Sequence, residues 1–91
     1  MTTVGEFLKT ARLSRKIEVQ DVERELKIKS AFIKALEEGQ YHKLPSYTYA
    51  RGFLTNYVQF LGLDREKLLA LFRREYDARE EDKLLPTGLN K

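Results

Sequence analysis

The residues best suited to molecular recognition in this 91-residue chain are aromatic side chains on one predicted helix, Ser46–Leu61. At 100° per residue, Tyr49 and Phe53 stand on the same face, one turn apart, and Phe60 lies further along it. Aromatic anchors supply much of the binding energy at protein–protein interfaces. Since a small domain needs only one apolar face per helix, this second face predicts a partner outside the domain.

The same helix carries another apolar face that is sufficient to bury it. The residues spaced along that face are Tyr47, Ala50, Leu54, Val58 and Leu61. Tyr57 falls between the two faces, and Asn56 lies beside the aromatic one. We expect Tyr49 and Phe53 to be exposed, and Phe60 to pack under the following helix or the C-terminal tail.

Gly52, between Arg51 and Phe53, is costly inside a helix. A close approach by another backbone would explain it, and that backbone belongs either to the domain itself or to a partner.

Helical spacing of the apolar residues predicts an all-α chain of five helices. The predicted helices begin near Val4, Glu18, Lys29, Ser46 and Asp64. Ser46 and Asp64 are expected to act as N-caps, and Gly39 and Gly62 end two helices by adopting positive φ. In the third helix, Phe32, Ile33 and Leu36 are expected to point inward.

Beyond Tyr76 the chain becomes charged, loses its periodicity and contains Pro86 and Gly88. We therefore expect one domain over residues 1–77. Residues 78–91 are expected to form a fraying helix end and a charged tail or linker.

Composition excludes several classes of protein. The chain has no cysteine and one histidine, His42, so neither a disulfide framework nor a metal cluster of recognised spacing is predicted. No catalytic triad, phosphate-binding loop or dinucleotide motif is visible, and we expect neither enzymatic activity nor a cofactor. The N-terminus is not a signal peptide, and no stretch approaches the roughly 20 apolar residues that span a bilayer.

The positive charge is concentrated in the middle of the chain. The net charge is +3, and residues 27–58 account for all of it, with five basic residues against two acidic ones. A basic middle attracts a negative partner, either nucleic acid or an acidic protein surface.

The second and third helices, joined at Leu26–Ile28, have the lengths of a helix-turn-helix. In its DNA-binding use, the third helix would enter the major groove and present Lys27, Lys29, Ser30 and Lys34. These lysines suit phosphates. This face has no Arg, Asn or Gln, the residues that read bases best, so DNA recognition is the alternative interpretation.

Several short motifs follow one another along the chain. In order they are Leu26-Lys27-Ile28, Ala35-Leu36-Glu37-Glu38-Gly39, Leu44-Pro45, Tyr49-Ala50-Arg51-Gly52-Phe53-Leu54, Asn56-Tyr57 and Leu61-Gly62-Leu63-Asp64. This order resembles the cytoplasmic N-terminal domain of the RodZ-like proteins. The resemblance covers about residues 4–76. Its Leu-Pro and Tyr-x-Arg-Gly-Phe part is the specific one, whereas the helix-turn-helix part is shared with the larger Cro/repressor-like group.

The resemblance implies a five-helix Cro/repressor-like fold in a bacterial cell-shape protein. RodZ-like proteins bind the actin-like filament protein MreB and tie it to the inner membrane and the cell-wall machinery through a transmembrane helix further along. The family's MreB-binding aromatic pair corresponds to Tyr49 and Phe53. The resemblance also implies a location on the cytoplasmic side of the inner membrane, with residues 78–91 leading toward a membrane span.

The predicted partner-binding surface extends beyond the aromatic pair. Its expected neighbours and rim are Arg51, Asn56, Tyr57, Lys34 and Lys43. A third interpretation is that the aromatic face of the fourth predicted helix mediates self-association of the chain.

Two residues depart from the usual helix-turn-helix pattern. Glu23 stands where a small residue is common, and Lys27 stands where the turn usually has glycine. Both departures argue against a geometry that fits a DNA groove.

Overall fold

The computed structural model describes residues 2–84, and within them the chain forms five α-helices, a short 3-10 turn and no strand. The helices are α1 (Val4–Ser14), α2 (Val19–Leu26), α3 (Ser30–Glu38), α4 (Tyr47–Leu61) and α5 (Arg65–Leu84). The predicted all-α, five-helix fold is confirmed. The segment at 40–45, predicted to be a loop, contains the 3-10 turn Tyr41–Lys43.

Local signals set the helix boundaries much as the sequence predicts. Thr3 and Glu6 form a capping box at the start of α1, and Ser46 Oγ accepts a hydrogen bond from the Tyr49 N–H at the start of α4. Asp64 accepts from the Lys67 N–H at the start of α5. The apolar periodicity ends near Tyr76, but helix α5 continues to Leu84. The domain boundary at residue 77 stays a prediction.

Helices α2 and α3 form the predicted helix-turn-helix. Lys27 closes α2 in the left-handed conformation, at φ 60° and ψ 38°, where glycine is the usual residue. A side chain in that conformation costs about 1–2 kcal/mol. Ile28, directly after it, is buried in the core, so the turn is tied to the interior. Glu23 is half-buried on α2.

One buried polar network joins three of the helices. The Arg12 guanidinium on α1 donates from Nε and Nη2 to the Glu37 carboxylate on α3, at 2.7 and 3.0 Å. Tyr57 on α4 donates from its hydroxyl to the same carboxylate. Arg12 Nη1 also donates to the Ile17 carbonyl at 2.8 Å. The three guanidinium nitrogens of Arg12 and the hydroxyl of Tyr57 therefore all donate hydrogen bonds, as burial of a charged pair requires.

Glycine allows the close contact between α1 and α3. A Cβ built on Gly5 would collide with the main-chain carbonyl of Glu37, because the two helix backbones nearly touch there. The residue whose carboxylate holds Arg12 and Tyr57 is thus also the residue that α1 approaches most closely.

Helix α5 is held against the bundle by aromatic rings and one carboxylate. Phe72 packs against the edge of Tyr41 and stacks on Tyr47, with ring centroids 5.1 and 5.7 Å apart. Glu75 accepts hydrogen bonds from the Tyr41 hydroxyl at 2.7 Å and from the Val4 N–H at 3.1 Å. The second bond satisfies a main-chain donor at the start of α1 that has no partner within its own helix.

We predict that Gly5→Ala destabilises the domain by about 3 kcal/mol or more, because a backbone carbonyl cannot yield as a side chain does. Urea unfolding monitored by circular dichroism measures this change. Thr10→Ala, at an exposed position on the same helix, is the control and should leave stability unchanged or slightly raised. An unchanged unfolding midpoint for Gly5→Ala would contradict the tight contact between α1 and α3.

Candidate protein-binding surface

The two aromatic anchors predicted on α4 lie where the helix periodicity places them. Tyr49 is 61% exposed and Phe53 is half-buried. Their ring centroids are 5.9 Å apart, as expected for aromatic residues one helical turn apart. Phe60, predicted to pack beneath α5 or the tail, is half-buried against the core.

The aromatic surface extends onto α3, which the sequence analysis missed. Phe32 stacks on Phe53 with centroids 5.6 Å apart and planes 17° from parallel. Phe32 was predicted to point into the core, but its side chain is only half-buried and packs against the outside of the core. We call the row of Phe32, Phe53 and Tyr49 the aromatic ladder.

A cation lies at the α3 end of the aromatic ladder. Lys29 Nζ is 5.9 Å from the centroid of the Phe32 ring, within the range of a cation–π interaction. Lys29 was predicted to contact phosphates in the DNA-binding alternative. Lys34 and Lys43, predicted to form the rim, are exposed, and their contribution to binding stays a prediction.

Tyr57 does not belong to the surface, and the prediction that placed it there is corrected. Its side chain is fully buried, and its hydroxyl is bonded to Glu37. Burial raises the pKa of Tyr57 above its ordinary value, and the hydrogen bond to Glu37 raises it further. The hydrogen bonding of Arg12 itself to Glu37 is the main cause that raises the pKa of Arg12. Tyr57 therefore positions α4 and leaves Tyr49 and Phe53 to face outward.

A shallow depression adjoins the aromatic ladder on the solvent side of α4. The residues that line it include Tyr49, Arg51, Gly52, Phe53, Asn56 and Arg65. The predicted neighbours Arg51 and Asn56 are thus beside the aromatic pair. Arg65, the first residue of α5, was not predicted, because its proximity depends on how α5 folds back on α4.

Gly52 is one of the residues that line this depression, and it is exposed to solvent. A Cβ built on it would meet nothing within 4 Å, so no backbone of the described domain approaches it. Of the two alternatives for Gly52, a close approach by a backbone of the described domain is therefore excluded, and an approach by a partner's backbone stays a prediction. A mid-helix glycine still costs about 1 kcal/mol relative to alanine, and the fold offers no compensating contact.

The DNA-binding alternative has a partly suitable surface. Lys27, Lys29 and Lys34 are exposed, whereas Ser30 is half-buried. Lys29 is the N-cap residue of α3 and lies above Phe32, so it already has a neighbour within the domain.

A family model described as a helix-turn-helix domain matches residues 7–68, from α1 to the first turn of α5. The chain belongs to this helix-turn-helix family. It also resembles a Streptococcus pneumoniae protein named cytoskeleton protein RodZ, at 30% identity over 67 residues. That match covers 74% of this chain and 24% of the relative. The predicted resemblance to the helix-turn-helix domain of RodZ is confirmed.

A second relative is a Bacillus subtilis protein named uncharacterized membrane protein YmfM. It is 32% identical over 57 residues, which are 63% of this chain and 20% of the relative. The matched regions are thus only a quarter to a fifth of these relatives. No solved structure matches the chain at a comparable level of significance. Among the described residues, no helix combines the length and apolar character needed to cross a membrane.

We predict that alkaline pH destabilises the domain partly through Tyr57. The folded chain keeps the phenol neutral, whereas the unfolded chain ionises it near pH 10.0. The stability that Tyr57 contributes is thus complete below pH 10 and is lost as the pH rises further. The slope is about 1.4 kcal/mol per pH unit for this group.

Urea unfolding between pH 9 and 12 measures this slope in the wild type and in Tyr57→Phe. The free energy of unfolding should fall more steeply with pH in the wild type than in the variant. The difference in slope should correspond to one proton. Val58→Ala, also in the core of α4, is the control for general destabilisation and should keep the wild-type slope. Parallel curves for the wild type and Tyr57→Phe would contradict the prediction.

Proposed function

We propose that this domain is a non-enzymatic adaptor that binds the actin-like filament protein MreB through the aromatic ladder. In this function it links the bacterial cytoskeleton to the inner membrane and the cell-wall machinery during cell-shape maintenance. The observation that carries the proposal is the exposure of Tyr49 on a helix whose opposite face is fully buried.

Exposed aromatic rings that are already held in place suit a binding role. Phe53 is fixed between Phe32 and Tyr49, so little side-chain freedom is lost when a partner covers it. Arg51 and Asn56 lie beside the pair as polar neighbours. Apolar anchors within a polar rim are the usual composition of a binding hot spot.

The relatives agree with this proposal. One is named a cytoskeleton protein and the other a membrane protein, which are the two ends that such an adaptor would connect. The domain would then lie on the cytoplasmic side of the membrane. Residues 78–91 would form the charged linker toward a membrane-spanning segment.

We predict that the domain co-sediments with polymerised MreB and that Tyr49→Ala/Phe53→Ala loses at least about tenfold in affinity, since two hot-spot anchors are removed. Leu13→Ala is the matched control, because Leu13 is also a large apolar side chain, 54% exposed, on α1. It should sediment like the wild type.

Circular dichroism confirms that each variant is folded. Sedimentation of a folded double variant at the wild-type level would overturn the assignment of the surface. Failure of the wild type to sediment would overturn the proposed function.

The helix-turn-helix and its exposed lysines favour DNA binding as the second candidate function. If Lys27, Lys29 and Lys34 each neutralise a phosphate, the affinity should fall about 40-fold between 50 and 200 mM salt. Fluorescence anisotropy with a labelled duplex measures this dependence. Lys27→Ala/Lys29→Ala/Lys34→Ala should abolish such binding, whereas Tyr49→Ala should leave it unchanged. An aromatic-anchored filament contact should weaken much less over the same salt range.

A further inference from the structure

Gly52 breaks a general preference without any reason inside the domain. It lies in the middle of a 15-residue helix, it is exposed, and an added Cβ would meet open space. By contrast, Gly5 faces the backbone of α3, and Gly39 and Gly62 have positive φ. Gly52 is therefore the one described glycine for which the fold supplies no structural need.

The depression around Gly52 has a definite charge. Arg51 and Arg65 both line it, and no acidic residue is among the lining residues. Tyr49 and Phe53 border the same depression, so it is continuous with the aromatic ladder. A segment that enters it would meet uncovered helix backbone at Gly52, two cations and two aromatic rings.

We propose that the filament partner inserts an acidic segment into this depression, so that its main chain packs directly on the α4 backbone at Gly52. A carboxylate of that segment then pairs with Arg51 and Arg65. Glycine permits this contact because it alone leaves the helix backbone uncovered. The inference rests on the proposed function and adds the chemistry of the partner's segment and the place where it enters.

The test exploits opposite effects on stability and binding. Gly52→Ala should raise the Tm by about 4 °C or more, because alanine favours the helix and nothing obstructs its methyl group. The same change should weaken binding to polymerised MreB about tenfold in the sedimentation assay. Gly52→Gln, also a good helix former, should keep the domain folded and bind more weakly still. Thr10→Ala is the control for stabilisation elsewhere and should bind like the wild type.

The charge argument has its own pair of variants. Arg65→Gln should weaken binding several-fold and reduce its salt dependence, whereas Arg74→Gln, exposed further along α5, should do neither. Wild-type affinity in Gly52→Ala and Gly52→Gln would overturn the inference and leave the proposed function standing. Wild-type affinity in Arg65→Gln alone would overturn the acidic character of the segment. Absence of wild-type sedimentation would overturn the proposed function and this inference together.

Discussion

The arrangement of this domain depends on the carboxylate of Glu37. It lies in the last turn of α3, an unfavourable place for a negative charge because the helix dipole is also negative there. Arg12 on α1 compensates for that charge and donates two hydrogen bonds to it, and Tyr57 on α4 donates a third. Since removal of one partner would leave a buried charge unpaired, the three helices keep one relative orientation.

That orientation determines the surface. Phe32 on α3 stacks on Phe53 of α4, and inside the bundle the same two helices are joined by the hydrogen bond from Tyr57 to Glu37. The aromatic ladder and the buried network therefore depend on the same packing of α3 against α4. The ladder also joins α3 to α4. The helix that enters the major groove in DNA-binding helix-turn-helix proteins is therefore packed along one edge against a neighbouring helix in this domain.

Apolar periodicity within each helix was enough to predict the all-α fold, and on α4 it also predicted part of the site. It separated the buried Leu54 from the exposed Tyr49 because both positions are well inside their respective faces. It failed for Tyr57, which lies between the faces and is drawn inward by a hydroxyl partner 20 residues away. It also failed for Phe32 and Arg65, whose roles depend on the angles between helices. No local sequence pattern encodes such angles. Periodicity also gave no signal for the charged end of α5, which forms a helix without a regular apolar face.

Glu75 gives the domain a mechanical property. Its carboxylate binds the start of α1 and the Tyr41 hydroxyl, so the first and last helices are fastened to each other. A force applied to the C-terminal end of α5 would act first on the two hydrogen bonds of Glu75 and on the ring contacts of Phe72. Under the proposed function, in which the domain would connect a filament to a membrane, these contacts would hold the first and last helices together against such a force.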